Sequence, residues 1–388
     1  DKKAIPQIRE LITQYHPKLL WFDTPSKLPN SENIRILDSV RTADPSVVVN
    51  GRLVRNAGDY TNTGDRAVEF RRINGDWEAI PTTNESYGWS PLDNSYKTPD
   101  FLIRVLEKAV SRGGNILLNI GPTRDGTIDP NDVAILEGIG RWMSINSESI
   151  YGCGAAPLPT QAWGVVTAKK TTLYLHVLNW PAGPLVVGGL ESTPRSAHML
   201  TATGEIPVTY QRVNQQDLAF TLPAKPPSAS PAVIRLEFDT APQGGGVRLI
   251  DTIVATNQIL AFDAELHGQH FSFGDGKQDN YTVYNWTSTD QFLTWQVRLN
   301  QPARFDVALH YGTVNGGDYT IEVSDWRATR TAPPYVGAPP RIYPTQTDSL
   351  GTVSLPAGIH TITLRANKIS GKGEFIRPLE LFLKSASK

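Results

Sequence analysis

The chain's 388 residues exceed one ordinary core and suit two or three domains. A net charge of -1, with lysine and arginine scattered, excludes the electrostatic footprint of a nucleic-acid binder. No apolar run reaches the roughly 18 residues of a membrane span. The 32 glycines and 29 prolines beside 39% hydrophobic residues describe a globular, turn-rich chain, and a single cysteine, Cys153, excludes an internal disulfide framework. The start, Asp1-Lys2-Lys3-Ala4, carries no signal-peptide pattern. Either the chain is cytoplasmic or its true start has been removed; an exported bacterial protein, periplasmic or extracellular, is the expectation.

Residues 1–150 alternate helical and extended patterns. Ile5, Ile8, Leu11, Ile12 and Tyr15 recur at helical spacing, and His16-Pro17 ends the pattern. Leu19-Leu20-Trp21-Phe22 then reads as a short buried strand that stops at Asp23. Ser31 to Arg41 reads as a helix with Ser31 as N-cap. Val47-Val48-Val49-Asn50 is a second buried strand, followed by Gly51-Arg52 and a polar loop from Arg55 to Gly75. Trp77–Ile80 is a third strand, Phe101 to Val110 a helical stripe stopped by Gly113-Gly114, and Ile116–Ile120 a fourth strand. Val133 to Ile145 is another helix. Helices alternating with all-apolar strands predict a parallel sheet covered on both faces.

The pattern changes near Tyr151. Leu173 to Leu178, Pro184 to Val187 and Val233 to Phe238 read as short strands of an antiparallel sandwich over 151–240. Gly244-Gly245-Gly246 is the expected linker. Beyond it, over 241–388, strands are expected at Phe292 to Leu299, Arg304 to Tyr311, Tyr319 to Val323, Gly351 to Leu355, His360 to Leu364 and Glu380 to Leu383. The fold class is therefore multidomain, α/β plus all-β: part of an α/β unit followed by two sandwiches.

Five pieces occur in one order across residues 7–128. Gln7 to Leu11 leads to Trp21-Phe22-Asp23, and Val49-Asn50-Gly51-Arg52 follows. Gly58-Asp59-Tyr60 comes with Thr63-Gly64-Asp65-Arg66, and Trp77-Glu78 with Ser86-Tyr87-Gly88-Trp89. Gly113-Gly114-Asn115-Ile116-Leu117-Leu118-Asn119-Ile120-Gly121-Pro122 runs on to Asp125-Gly126-Thr127-Ile128. This resembles family 29 of the glycoside hydrolases, the retaining α-L-fucosidases, over the first 150 residues. The sandwich that follows is also what the family carries there, and the last unit is similar, more loosely, to carbohydrate-binding modules.

The resemblance implies a partial (β/α)8-like barrel and a role for each matching residue. Asp23 matches the nucleophile and Arg52 a substrate-contacting arginine. Tyr87 matches an aromatic that packs on the fucose methyl group. Asp65 falls on the acid/base position, with Glu69 as fallback and Glu78 third. It also implies that the opening barrel strands are missing. A barrel of this kind takes about 250 residues, whereas only about 150 precede the sandwich here, and of seven histidines only His16 lies among them. A separate, nicked or omitted N-terminal segment is the expected partner, beside a fucosylated glycan. Neither nucleic acid nor membrane is expected as a partner, and no cofactor or metal.

The chemistry agrees with those assignments. A retaining glycosidase needs two carboxylates about 5–5.5 Å apart, one attacking and one protonating the leaving oxygen. An acid fixed at a strand end suits the first role, and an acid on a polar loop the second. Arg52 adds a cation able to bind a ring oxygen or hydroxyl, and Tyr87 offers an apolar face to a deoxy sugar's methyl. Plainer roles compete for each residue. Asp23 before Thr24-Pro25 caps a turn, as does Asp65 after Thr63-Gly64. Glu69 beside Arg71 and Arg72 fits a solvated face, Arg52 a structural ion pair, and Tyr87 with Trp89 a core. In the last unit Phe271, Phe273, Tyr281, Tyr284, Trp286, Trp295 and Trp326 either stack on sugars or fill the core. The competing function is a carbohydrate-binding or pseudo-enzyme chain that does not turn over.

Overall fold

The computed structural model describes residues 2–54 and 57–386. It is mostly β, in several sheets, with four α-helices among the described residues, all before residue 147. Helix α1, Ala4–Tyr15, buries Ile12 to 2% exposure with Ile5 and Ile8 beside it. It ends where His16 turns left-handed at φ 48° and donates its N–H to the Ile12 carbonyl. Strand β1, Leu19–Leu20, pairs in parallel with β2, Val48–Val49, across helix α2, Asn30–Ala43. That helix begins one residue before the expected cap: Pro29 precedes it without a side-chain bond, and Ser31 lies inside the first turn.

A second parallel group consists of β3, Thr61–Asp65, β4, Trp77–Ile80, and β5, Asn115–Ile116. A parallel bridge from Asn50 to Tyr60 joins the two groups, so the five strands follow chain order. Helix α3, Pro99–Ser111, starts where the Thr98 hydroxyl accepts the Phe101 N–H. Helix α4, Pro130–Asn146, starts where the Asp129 carboxylate accepts the Asn131 N–H. Both pair an N-cap acceptor with proline at the first helical position.

Four expectations change here. The stretch expected as a polar loop holds strand β3, although Arg55, its first residue, lies outside the described residues. Thr-Asn-Thr-Gly-Asp has no apolar alternation, and β3 exists through its ladder to β4. Strand β1 is not buried: Leu19 is 43% exposed, because β1 pairs with β2 alone among the described residues. The fourth strand is shorter than expected, with only the Thr82–Asn119 bridge continuing it. Nor, among the described residues, are both faces of the sheet covered. The helices pack on one face, burying Val40, Val49, Trp77, Ala79, Val105 and Ala109. Asn62, Asp65 and Glu78 remain partly accessible.

Past Tyr151 the chain forms a six-stranded and a three-stranded sheet. Thr172–Val177, Leu185–Gly188 and Ala232–Glu237 supply strands close to those expected. Leu173, Leu175, Val187, Leu218, Phe220 and Ile234 share one core between these sheets. The last unit again pairs two sheets over a single core. Phe292–Leu299, Gly358–Ile369 and Gly317–Val323 lie in one, Ile376–Ser385, Ala303–Thr313 and Thr345–Leu355 in the other. Trp286 and Trp295 are buried in that core, and Phe271, Phe273 and Trp326 pack against it.

The triple glycine is not a free linker. Gly245 donates its N–H to the Gly189 carbonyl at 2.9 Å, and Gly244 bridges Leu190. A Cβ on Gly244 would overlap the Gly189 carbonyl, so glycine is what lets the backbones meet. Beside this seam Arg298 of the last unit donates to buried Asp217 of the preceding one at 2.8 and 2.7 Å.

Candidate active site

The site is built from the C-terminal ends of β1, β2 and β3. Asn50, fully buried just past β2, uses its side-chain amide as a backbone substitute. Its Oδ1 accepts the Phe22 N–H at 2.8 Å and its Nδ2 donates to the Phe22 carbonyl at 2.9 Å. This clamp fixes the residue before Asp23. The Asp23 Oδ1 accepts the Thr24 N–H at 2.8 Å, so the turn role expected for it is real. The side chain nevertheless stays 64% exposed.

Arg52 joins the candidate carboxylates. Its Nη1 donates to Asp23 at 3.0 Å and its Nη2 donates to Asp65, at the end of β3. One guanidinium fork thus holds both acids on one side of the sheet. Arg52 also lies over Trp21, its Cζ 4.8 Å from the ring centroid. Asp65 is 42% exposed. Tyr87 is near enough for the Asp65 charge to act on it: burial first, then that charge, push its phenol up to about 12. Its hydroxyl donates to the Ile80 carbonyl at 3.4 Å. Asp23, Arg52, Asp65 and Tyr87 are therefore neighbours, brought together by four separate stretches of chain.

The two fallback acids part company. Glu69 pairs with Lys108 on α3 and lines a crevice with Arg112 and Arg248, touching none of this group. Glu78 lies within it, accepting from Trp21 Nε1 at 2.8 Å and from Asn62 Nδ2 at 2.9 Å. Burial, then the Glu78 charge, push Tyr60 up to about 12. Trp89 donates its indole N–H to Asp129 at 3.1 Å, which ties it to the cap of α4. Sequence reasoning passed over Asn50 as a positioning group and Trp21 as the platform under Arg52. The available signal was a polar residue closing an all-valine run. Among the described residues, no group of three or more His, Cys, Asp or Glu side chains is placed to hold a metal ion.

Residues 1–148 match the family model described as Alpha-L-fucosidase. An alpha-L-fucosidase from Branchiostoma floridae is 32% identical over 216 residues, which are 52% of this chain and 47% of that protein. The chain spans about half the length of the curated relatives it matches. The alpha-L-fucosidase of Vibrio sp. strain EJY3 superposes with a TM-score of 0.74. That alignment covers 98% of this chain and 69% of that one at 24% identity, a likeness of fold. A Bacteroides thetaiotaomicron GH29 alpha-L-fucosidase was trapped as a covalent intermediate with 2-fluoro-fucosyl fluoride, using a glutamate-to-glutamine mutant. It superposes with a TM-score of 0.53 at 29% identity, over 60% of this chain and 59% of that one. By its first 148 residues, its curated relatives and its structural neighbours, the chain resembles the α-L-fucosidases of glycoside hydrolase family 29.

Proposed function

We propose that this chain belongs to a retaining exo-α-L-fucosidase that removes terminal α-L-fucose from glycans by double displacement. The observation that carries the reading is the Arg52 fork, which holds Asp23 and Asp65 together at an accessible sheet edge. In the first step an Asp23 oxygen attacks the anomeric carbon. The glycosidic bond breaks, and Asp65 gives its proton to the leaving oxygen. In the second step water attacks the fucosyl ester, Asp65 takes the water's proton, and Asp23 leaves as a carboxylate. The Asp65 oxygen that now accepts from Arg52 must face the leaving oxygen to pass it a proton, so Arg52 Nη2 turns from Asp65 to a sugar hydroxyl as the sugar enters. Tyr87 supplies the apolar surface for the fucose methyl.

In this reading residues 1–150 are the C-terminal part of a (β/α)8-like barrel. Residues 151–240 are a supporting sandwich, and 241–388 a sandwich of the carbohydrate-binding kind. A second reading, a sugar-binding chain without turnover, is favoured by the Arg52 pairing that occupies both carboxylates.

Release of nitrophenol from an aryl α-L-fucoside, by the chain and by its Asp23→Asn variant, tests the assignment. Loss on the order of 10³-fold or more is expected for removal of a nucleophile. Equal rates would remove Asp23 from the mechanism. Fucosylated glycan bound by the parent chain without turnover would favour the second reading.

A further inference from the structure

Where the α/β unit meets both all-β units lies a crevice of about 400 Å³ that shares no residue with the Asp23 group. Arg71 and Arg72 reach it from the connection between β3 and β4, Arg112 from the end of α3, and Arg248 from the strand Arg248–Leu249. An adjoining crevice shares Arg112, Arg248 and Asp263 and adds Glu69 and Lys108. Lys108 pairs with Glu69, and Arg112 donates to Asp263 at 2.8 Å. No carboxylate of the two crevices is then left for the other three arginines.

The partners they do have carry no charge. Arg71 lies 5.4 Å from the Phe273 ring centroid and reaches the Arg72 carbonyl at 3.5 Å. Arg72 donates to the Leu158 carbonyl at 3.4 Å. Arg248 donates one Nη to the Gln258 carbonyl at 2.6 Å, while its Nε is buried without an acceptor. Burial pulls Arg248 down to about 10, with Arg112 adding to the effect and Asp263 opposing it. Like charges gathered in a partly dry crevice are unfavourable until an anion joins them.

We propose that this crevice binds a tetrahedral oxyanion, sulfate or phosphate, either free or as an ester on a sugar. Guanidinium forks match the oxygens of such groups and hold them by paired, charge-assisted hydrogen bonds. The space exceeds what one ion needs, and Phe262, Phe273 and Trp295 line it, which leaves an apolar wall for an attached ring.

Calorimetric titration of the whole chain tests this, with sodium sulfate, sodium phosphate, galactose 6-sulfate and galactose as ligands at ionic strength fixed by sodium chloride. Saturable binding of at least one oxyanion is expected, with galactose itself silent. The R71A/R72A double variant, which alters two exposed side chains, should weaken binding at least tenfold. The Asp23→Asn variant should bind as the parent does, so failure of the fucosidase reading leaves this site untouched. Tighter binding of galactose 6-sulfate than of sulfate assigns the site to an ester on a sugar, and equal or weaker binding to the free ion. No saturable heat with any oxyanion, or unchanged affinity in the double variant, overturns the proposal.

Discussion

At the scale of single residues, Arg52 touches two carboxylates to which the proposed mechanism gives different duties. Protonation of the leaving oxygen matters most when that oxygen is basic. Asp65→Ala should therefore slow release of an alkyl alcohol from its fucoside by about 10²–10⁴-fold. A dinitrophenyl fucoside, whose leaving group needs little help, should suffer far less. Equal losses on both substrates would move the proton to another group. Glu78 is then the next to test, because it shares Trp21 with Arg52. Asp23, Arg52, Asp65 and Tyr87 were legible as candidates because each sits in a short motif of fixed order, and the structure makes them neighbours. The sequence left the acid/base choice open, because Glu69 lies only four residues beyond Asp65. In three dimensions that short stretch passes from the accessible sheet edge to Lys108 on α3. Asn50 was invisible as a clamp: a side chain replacing a strand partner leaves no periodic trace.

At the scale of elements, hydrophobic period located the helices and β4 well, and failed where polar residues form the strand. β3 carries Asp65, so the element hardest to read holds half of the candidate chemistry. Strand β5 depends on a different kind of constraint. Gly114 lies against the Trp77 indole, which is fully buried between the sheet and α3, and a Cβ there would overlap the ring. Gly114→Ala should destabilise the chain by about 1–3 kcal/mol through overpacking, read as a lower urea midpoint. An unchanged midpoint would mean that the indole can slide. The glycine was visible in the sequence as a helix stop; its role as a slot for tryptophan was not, because Trp77 is 37 positions away by chain numbering.

At the scale of the whole molecule, the joints between units are polar and buried. Glu107 on α3 meets His176 at 2.9 Å with both side chains fully enclosed, and burial pushes the Glu107 carboxyl up. At the second joint burial also raises the Asp217 carboxyl. Bonds from Arg298, Asn300, Asn214 and the Gly189 N–H outweigh that and leave it at about 2, against an ordinary 3.8. A lowered carboxyl stabilises the fold above its unfolded value and loses that contribution as pH falls through the folded one. Asp217 should therefore contribute about 2 kcal/mol above pH 4 that fades toward pH 2. Asp217→Asn should flatten that part of the acid limb and lower stability at pH 7 by about 3 kcal/mol, with Arg298 left unpaired. Urea midpoints at pH 7, 4 and 2.5 give both readings, and parallel curves for the two proteins would refute the linkage. Strand and helix patterning placed the change from α/β to all-β near Tyr151, and the last α-helix of the described residues ends at Asn146. Composition misjudged the glycine run, since chemistry typical of a loose connector serves equally for close backbone contact.

That docked glycine run governs how the chain would come apart. A protease nick between residues 243 and 244 would cut the covalent connection and leave the cross-seam bonds to Gly189, Leu190 and Asp217. The two fragments would then travel through a sizing column as a single peak and show as two bands only after denaturation.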